Sequence, residues 1–296
     1  MAICSMLTKL TPHYRSNPYE DRKLKFVPDT CQCLEDTLIN NHFNCFKYCI
    51  EVLTYDPNLS FHWASDLVFR AEGPGPCITI NGVKIYAGYY SLLDLCALGL
   101  LLDYVDYLLD VCHVNVDEPA TMYGFKIEKN LVAMLCCHTM DYSVLNENKD
   151  KYKQLVIKLI EKYNAKADGT WRDFTCLYGL QDYDFMKFLI DHGADLDHLH
   201  NNNFNILTFY LNDDQVNLKC LELLCTETNI NQIFKDDKTV LMKSLYIKDL
   251  ECFKFLVNRS KNINNRDSSG VSVLDKAKKY CKNQEIIKIL EEAGAV

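Results

Sequence analysis

The chain has 296 residues, a formal net charge of −8 and a hydrophobic share of 48%. That length accommodates one elongated domain or about two compact ones, and the apolar content is that of an ordinary folded, soluble chain. The acidic balance and the absence of any basic run argue against a nucleic-acid binder and against a basic helix lying on a membrane.

In chain order, residues 1–26 carry no long apolar segment behind a basic head, so no secretory signal is expected. CLEDTLINNHFNCFKYCI, Cys33 to Ile50, reads as a first pair of helices. Asn58 and Ser60, followed by Phe61, Trp63, Leu67 and Val68, predict a short helix. Then comes RAEGPGPCITINGVKIYAG, residues 70–88, in which two alternating segments flank Asn81-Gly82. Asn-Gly is the strongest short signal for a type I′ hairpin, because both central residues take positive φ. Pairing Ile80 with Val83 sets Ile78 opposite Ile85, Thr79 opposite Lys84 and Cys77 opposite Tyr86. A phosphate cradle would instead need its glycines to open a helix.

SLLDLC (Ser91 to Cys96) and YVDYLL (Tyr104 to Leu109) form a second helix pair. LCALGLLL, Leu95 to Leu102, is the longest strongly apolar run and falls far short of the roughly 20 residues a spanning helix needs. NLVAML (Asn130 to Leu135) and QLVIKLI (Gln154 to Ile160) form a third pair, with an insertion at about 138–150 between them. Four further units follow, whose first helices open at Phe174, Leu207, Leu241 and Leu274, spaced 33, 34 and 33 residues apart. A fixed period of this size marks a repeat architecture, in which each unit buries its apolar face on the next.

Local chemistry agrees with that division. Ser91, Asn130, Asn205, Thr239 and Ser272 stand where first helices begin, and their side chains accept from orphan N–H groups. Asp173 is the equivalent candidate in the fourth unit. Phe185, Phe188 and Leu189 show the spacing of a helix packed on one side. Gly193, Gly294 and Asn164 follow second helices, where a left-handed residue ends the helix.

Asp267, Gly270, Ser272, Leu274 and Ala277, then Ile289, Leu290, Gly294 and Ala295, together with His192-Gly193-Ala194-Asp195, resemble the ankyrin repeat. The family's T-P-L proline is replaced by Leu92, Ile206, Val240 and Val273. The resemblance implies an all-α solenoid of about seven helix–turn–helix repeats joined by β-hairpin fingers. The repeats fall at about 27–59, 86–118, 125–166, 167–199, 200–233, 234–266 and 267–296, within a domain of 27–296. Residues 1–26 form an N-terminal segment, and the 60–85 insertion is one finger grown long, with Ile78, Ile80, Asn81, Gly82, Val83 and Ile85 at its end. Its apolar face either caps the stack or docks a partner.

The family's concave surface and finger tips usually bind other proteins, which implies a non-catalytic interaction scaffold. The positions carried over are Trp171, Asn201, Asn202, Phe204, Lys235, Asp236, Lys238, Tyr246, Ser268, Ser269 and Tyr280. Trp171 and Phe204 either anchor a partner or fold back over neighbouring turns. The alternative is an enzyme or effector activity in the N-terminal segment and the 60–86 insertion. Ankyrin-only chains similarly rich in Asn, Lys, Ile and Tyr occur among effectors of intracellular bacteria and proteins of large DNA viruses. That likeness implies a host protein as partner and host cytoplasm as location.

The fifteen cysteines are scattered and mostly set among apolar residues, as in a reducing, intracellular compartment. There is no C-x-x-C. Cys31 and Cys33, the Cys136-Cys137-His138 run, and His198 and His200 beside Asp195 and Asp197 are the chemical candidates; structural roles are the simpler reading for each. The acidic pairs Asp213-Asp214, Asp236-Asp237 and Glu291-Glu292 read as solvated tips or faces. No cofactor, metal, nucleic acid, membrane insertion or small-molecule substrate is expected.

Overall fold

The computed structural model describes residues 30–52, 54, 56–58, 60–63, 77–86, 88–118, 121–122, 125–126, 129–139, 146–201, 203–211, 216–247, 249–281 and 283–296. The expected N-terminal segment, Asn202, Asp213-Asp214, Leu67 and Val68 lie outside these residues. The fold is mostly helical with a few short strands, and its chain divides into two compact units, 1–126 and 127–296.

In the first unit, α1 (Thr30–Ile39) and α2 (Phe43–Glu51) bury Leu34, Leu38, Phe46 and Cys49. Four strands follow: β1 (Ser60–Trp63), β2 (Cys77–Ile80), β3 (Val83–Tyr86) and β4 (Gly88–Ser91). β2 and β3 pair as Ile80↔Val83, Ile78↔Ile85, Thr79↔Lys84 and Cys77↔Tyr86, the register expected from Asn-Gly. Asn81 and Gly82 take φ of 50° and 81°, the left-handed pair a I′ turn requires.

The segment opening at Ser60 corrects the helix predicted there. It is strand β1, paired antiparallel with β4 from Ser60↔Ser91 to Trp63↔Gly88. Asn58 does not open a helix, because its backbone N–H is held by the Asp56 carboxylate at 2.9 Å in a local turn. The partner strand lies almost thirty residues away, and that pairing satisfies the backbone groups a helix would have satisfied internally.

Ser91 ends β4 and caps α3 (Leu92–Leu98). Its Oγ accepts from Asp94 N–H at 3.1 Å, while the Asp94 carboxylate accepts from Ser91 N–H at 2.6 Å. This reciprocal box occupies the one acidic side chain of an otherwise apolar helix that is buried along its whole length. α4 (Leu102–Asp106) runs on as a π turn, Tyr107–Val111. The Tyr104 ring packs between Phe43 and Phe46, at 4.9 and 4.8 Å.

The β2–β3 hairpin packs on α1 and α3, with Ile80, Val83 and Ile85 buried. A Cβ added at Gly99 would stand 2.4 Å from Ile80 Cγ2. The apolar face of the enlarged finger therefore covers core, and full burial of each such side chain is worth roughly 1.5–3 kcal/mol. Short strands β5 (Thr121–Met122) and β6 (Phe125–Lys126) complete the unit.

The second unit opens with α5 (Leu131–Thr139) and α6 (Asn146–Tyr163). α5 continues through Thr139 and α6 begins at Asn146, so both ends of the 138–150 stretch are helical. Asn130 Oδ1 accepts from Ala133 N–H at 2.8 Å. Strands β7 (Thr170–Trp171) and β8 (Phe174–Thr175) then form a tight hairpin.

Here the expectation of a first helix opening at Phe174 is also corrected. Phe174 lies in β8, and residues 176–179 are turns. Arg172 and Asp173 both take positive φ, 52° and 69°, so the chain reverses where a helix was expected to begin. Asp173 caps no helix; its carboxylate is taken by residues 198–201 instead.

The remaining helices are α7 (Tyr183–Asp191), α8 (Ile206–Tyr210), α9 (Leu218–Leu224), α10 (Glu227–Ile230), α11 (Val240–Lys243), α12 (Leu250–Arg259), α13 (Val273–Lys276) and α14 (Gln284–Glu292). A π turn, Ala277–Cys281, extends α13. α7, α9, α12 and α14 pack each on the next, as do α8, α11 and α13. Asn205, Thr239 and Ser272 cap the second series through Thr208, Met242 and Asp275 N–H at 3.1, 3.3 and 3.2 Å. Asp182, Asn217, Asp249 and Asn283 cap the first series. Gly193 and Gly294 end α7 and α14 at φ of 92° and 84°, values that a side chain would strain.

Candidate partner-binding surface

In the second unit, the connections before α8, α11 and α13 are short reversals closed by single bridges. They are His200↔Phe204, Ile233↔Thr239 and Arg266↔Ser272. The last two repeat at 33 residues, in register with the caps that follow them. Left-handed residues make the turns: Asn201 at φ 45°, Asp236 at 63°, Asp237 at 55° and Gly270 at 74°.

Successive turns are tied together. Asn201 N–H donates to Asp173 Oδ2 at 2.9 Å, and Ser268 N–H donates to the Asp236 carbonyl at 3.0 Å. Lys243 Nζ donates to the Asn203 carbonyl. Deeper in, Asn205 Nδ2 donates to Asn229 O at 2.7 Å, and Asn229 Nδ2 donates to Leu196 O at 3.0 Å. Buried amides thus rigidify the row from one turn to the next.

The sequence-derived contact residues divide into two kinds. Trp171 is half-buried, with the Arg172 guanidinium 4.5 Å above its ring. Phe204 is half-buried against His200 at 4.3 Å, Phe209 at 6.0 Å and Phe174 at 6.3 Å. Asn201, Lys235, Asp236, Ser268 and Ser269 are exposed at turns, and Lys238 pairs with Asp236 at 3.2 Å. Tyr246 and Tyr280 are 71% and 57% exposed. In the first unit, Asn81 and Gly82 are the exposed tip of the hairpin, whereas Ile80, Val83 and Ile85 face inward. Ile78 sits opposite Ile85 in that register.

The histidine cluster has a defined architecture. His198 Nε2 lies 3.0 Å from Asp173 Oδ1, and His200 Nδ1 lies 2.9 Å from Asp173 Oδ2. Each imidazole spends a ring nitrogen on one carboxylate, so the three side chains clip the β7–β8 turn to the next one. Among the described residues, no group of three or more His, Cys, Asp or Glu is arranged to hold a metal ion. Sequence reading missed Asp173 as the centre of this clip; its partners are 25 to 28 residues away, and no local pattern announces them.

Three thiols of the α3 and α5 helices hold their protons more tightly than a free cysteine. Burial pushes the Cys136 thiol well up, with Cys176 beside it adding to the effect, and pushes Cys137 up to about 12. Cys96, inside α3, is raised for the same reason and by Asp94. Thiols in this state are poor nucleophiles, because the thiolate is the reactive form. Among the described residues no disulfide joins two cysteines, and no helix is long and apolar enough to cross a membrane.

Lys243 is the second residue that sequence reading passed over. It is half-buried, its ammonium 4.6 Å from the Phe234 ring, and burial followed by the nearby Lys238 lowers its proton affinity below the ordinary lysine value. No known protein-family model matches the chain. Comparison with curated proteins likewise found no match.

Proposed function

We propose that the chain is an ankyrin-type repeat protein and a non-catalytic scaffold, which binds a partner protein through the turn tips and first-helix faces of residues 170–280. The observation that carries this reading is the recurrence in the second unit. Caps at Asn205, Thr239 and Ser272 fall 34 and 33 residues apart, each beside a bridged turn. Stacked repeats of this kind present a row of variable side chains on a stiff frame, and a stiff row loses little entropy on binding.

The side chains along that row suit a protein surface. Trp171, Phe204, Tyr246 and Tyr280 offer aromatic area, and Asn201, Lys235, Ser268 and Ser269 offer polar contacts around it. The raised thiols also favour a structural over a nucleophilic use of the cysteines.

The test is affinity capture with the full chain, followed by reconstitution from purified components. The expected result is a direct complex that Trp171→Ala weakens by about tenfold or more, the range of an interface anchor. A captured protein that does not bind the purified chain directly, or a complex indifferent to Trp171, Tyr246 and Lys238 alike, overturns this reading.

A further inference from the structure

We propose that residues 170–182 are a joint at which the second unit opens locally, and that the Asp173 carboxylate is its latch. The opening is a property of the chain by itself, with or without a bound partner.

The segment stands where a first helix is expected and is too short to form one. Asp182, the cap of α7, follows Thr175 by seven residues. Asn217, Asp249 and Asn283 follow the caps Asn205, Thr239 and Ser272 by twelve, ten and eleven. Residues 176–179 are turns closed by long bonds, Tyr178 N–H to the Thr175 carbonyl and Leu180 N–H to the Leu177 carbonyl, both at 3.3 Å. Thr175 precedes Tyr178 by three residues, as Thr239 precedes Met242 and Ser272 precedes Asp275, yet its hydroxyl caps nothing. Thr175 Oγ1 and Tyr178 OH are buried and find no hydrogen-bond partner among the described residues. A hydroxyl buried in this way bears the cost of leaving water with no bond to offset it. Arg172 and Asp173 add left-handed backbone, which side chains disfavour. Local stability is therefore lower here than in the capped units that follow.

What closes the joint comes from both sides. α5 packs on β7 and β8, and Asn130 N–H donates to the Thr170 carbonyl at 2.9 Å. Lys153 holds Asp182 at 2.8 Å, joining α6 to the cap of α7. Cys176, Leu177 and Tyr178 are buried, so the closed form dominates. On the other side, the Asp173 carboxylate accepts from Asn201 N–H at 2.9 Å, with the His198 and His200 ring nitrogens at 3.0 and 2.9 Å. Bonds to a charged acceptor are stronger than neutral ones, so one side chain carries much of this attachment. Opening parts the Trp171 turn from Asn201 and Phe204, and closure restores them as one surface. A protein bound across both turns, as in the scaffold reading above, holds the joint closed.

Native-state hydrogen–deuterium exchange of the full chain at low urea, read by mass spectrometry, tests the joint. Peptides covering 170–182 are expected to exchange through openings that leave α9, α12 and α14 protected. Asp173→Asn removes the charged acceptor and should speed exchange at 170–182 and 198–201 by about tenfold or more, with α12 and α14 as in wild type. Tyr178→Phe keeps the ring and removes the unpartnered hydroxyl, so exchange at 174–180 should slow. Should Asp173→Asn not fold, His200→Gln withdraws one donor, keeps the carboxylate and is expected to act in the same direction. Exchange of 170–182 only in step with α12 and α14 overturns the joint. A latch variant that speeds exchange uniformly along residues 131–296, or nowhere, overturns the latch. Exchange at 174–180 that is faster or unchanged in Tyr178→Phe overturns the weakness assigned to the segment. None of these readings uses a partner, so the partner capture described above decides the scaffold reading separately.

Discussion

At the scale of single residues, the caps were the most legible feature. Ser91, Asn130, Asn205, Thr239 and Ser272 were expected to open helices, and each accepts a backbone N–H at the helix start. A cap is written in three or four consecutive residues, so sequence alone reveals it. Asp173 was misread for the converse reason: its partners come from residues 198–201. Asp267 shows what a committed carboxylate does for stability. The Lys276 ammonium, then the Val271 and Ser269 N–H groups, hold its carboxyl below the ordinary carboxylate range. A folded value below the unfolded one stabilises above the unfolded value near 4, and that contribution is lost as pH falls through the folded value. Urea unfolding at stepped pH should therefore show wild type losing more stability between about pH 5 and pH 2 than Asp267→Asn does. Equal losses would mean that the pair contributes nothing to the linkage.

Among the elements, the β2–β3 hairpin and strand β1 mark the limit of local reading. Asn81-Gly82 specifies its turn and register with no help from the rest of the chain. β1 exists only because Gly88–Ser91 lies beside it, and Ser60–Trp63 read in isolation fits a helix start equally well. Whether the hairpin served the core or a partner was also open in the sequence. Packing on α1 and α3, with Ile80 over Gly99, decides for the core. Removing residues 74–84 exposes α3, whose seven residues are all buried. The shortened protein is expected to unfold at markedly lower temperature or to aggregate, read by circular dichroism and light scattering. An unchanged melting temperature would return the hairpin to the role of a partner contact.

At the scale of the whole molecule, the period near 33 is legible where the same cap and the same bridged turn recur at that spacing, at Asn205, Thr239 and Ser272. Packing runs from α8 through α11 to α13, and from α7 through α9 and α12 to α14, across residues 183–292. Where a fourth first helix is expected, at Phe174, the chain forms a hairpin and turns, and α13 is extended by its π turn. What such a row binds is decided by its exposed side chains, which the period does not constrain. Hydrogen–deuterium exchange of the full chain, with and without its purified partner, reads the contact face directly. Protection is expected at 170–173, 200–205, 235–246 and 268–281. Protection confined to α12 and α14, or to the 77–86 hairpin, would contradict binding through the turn tips and first-helix faces.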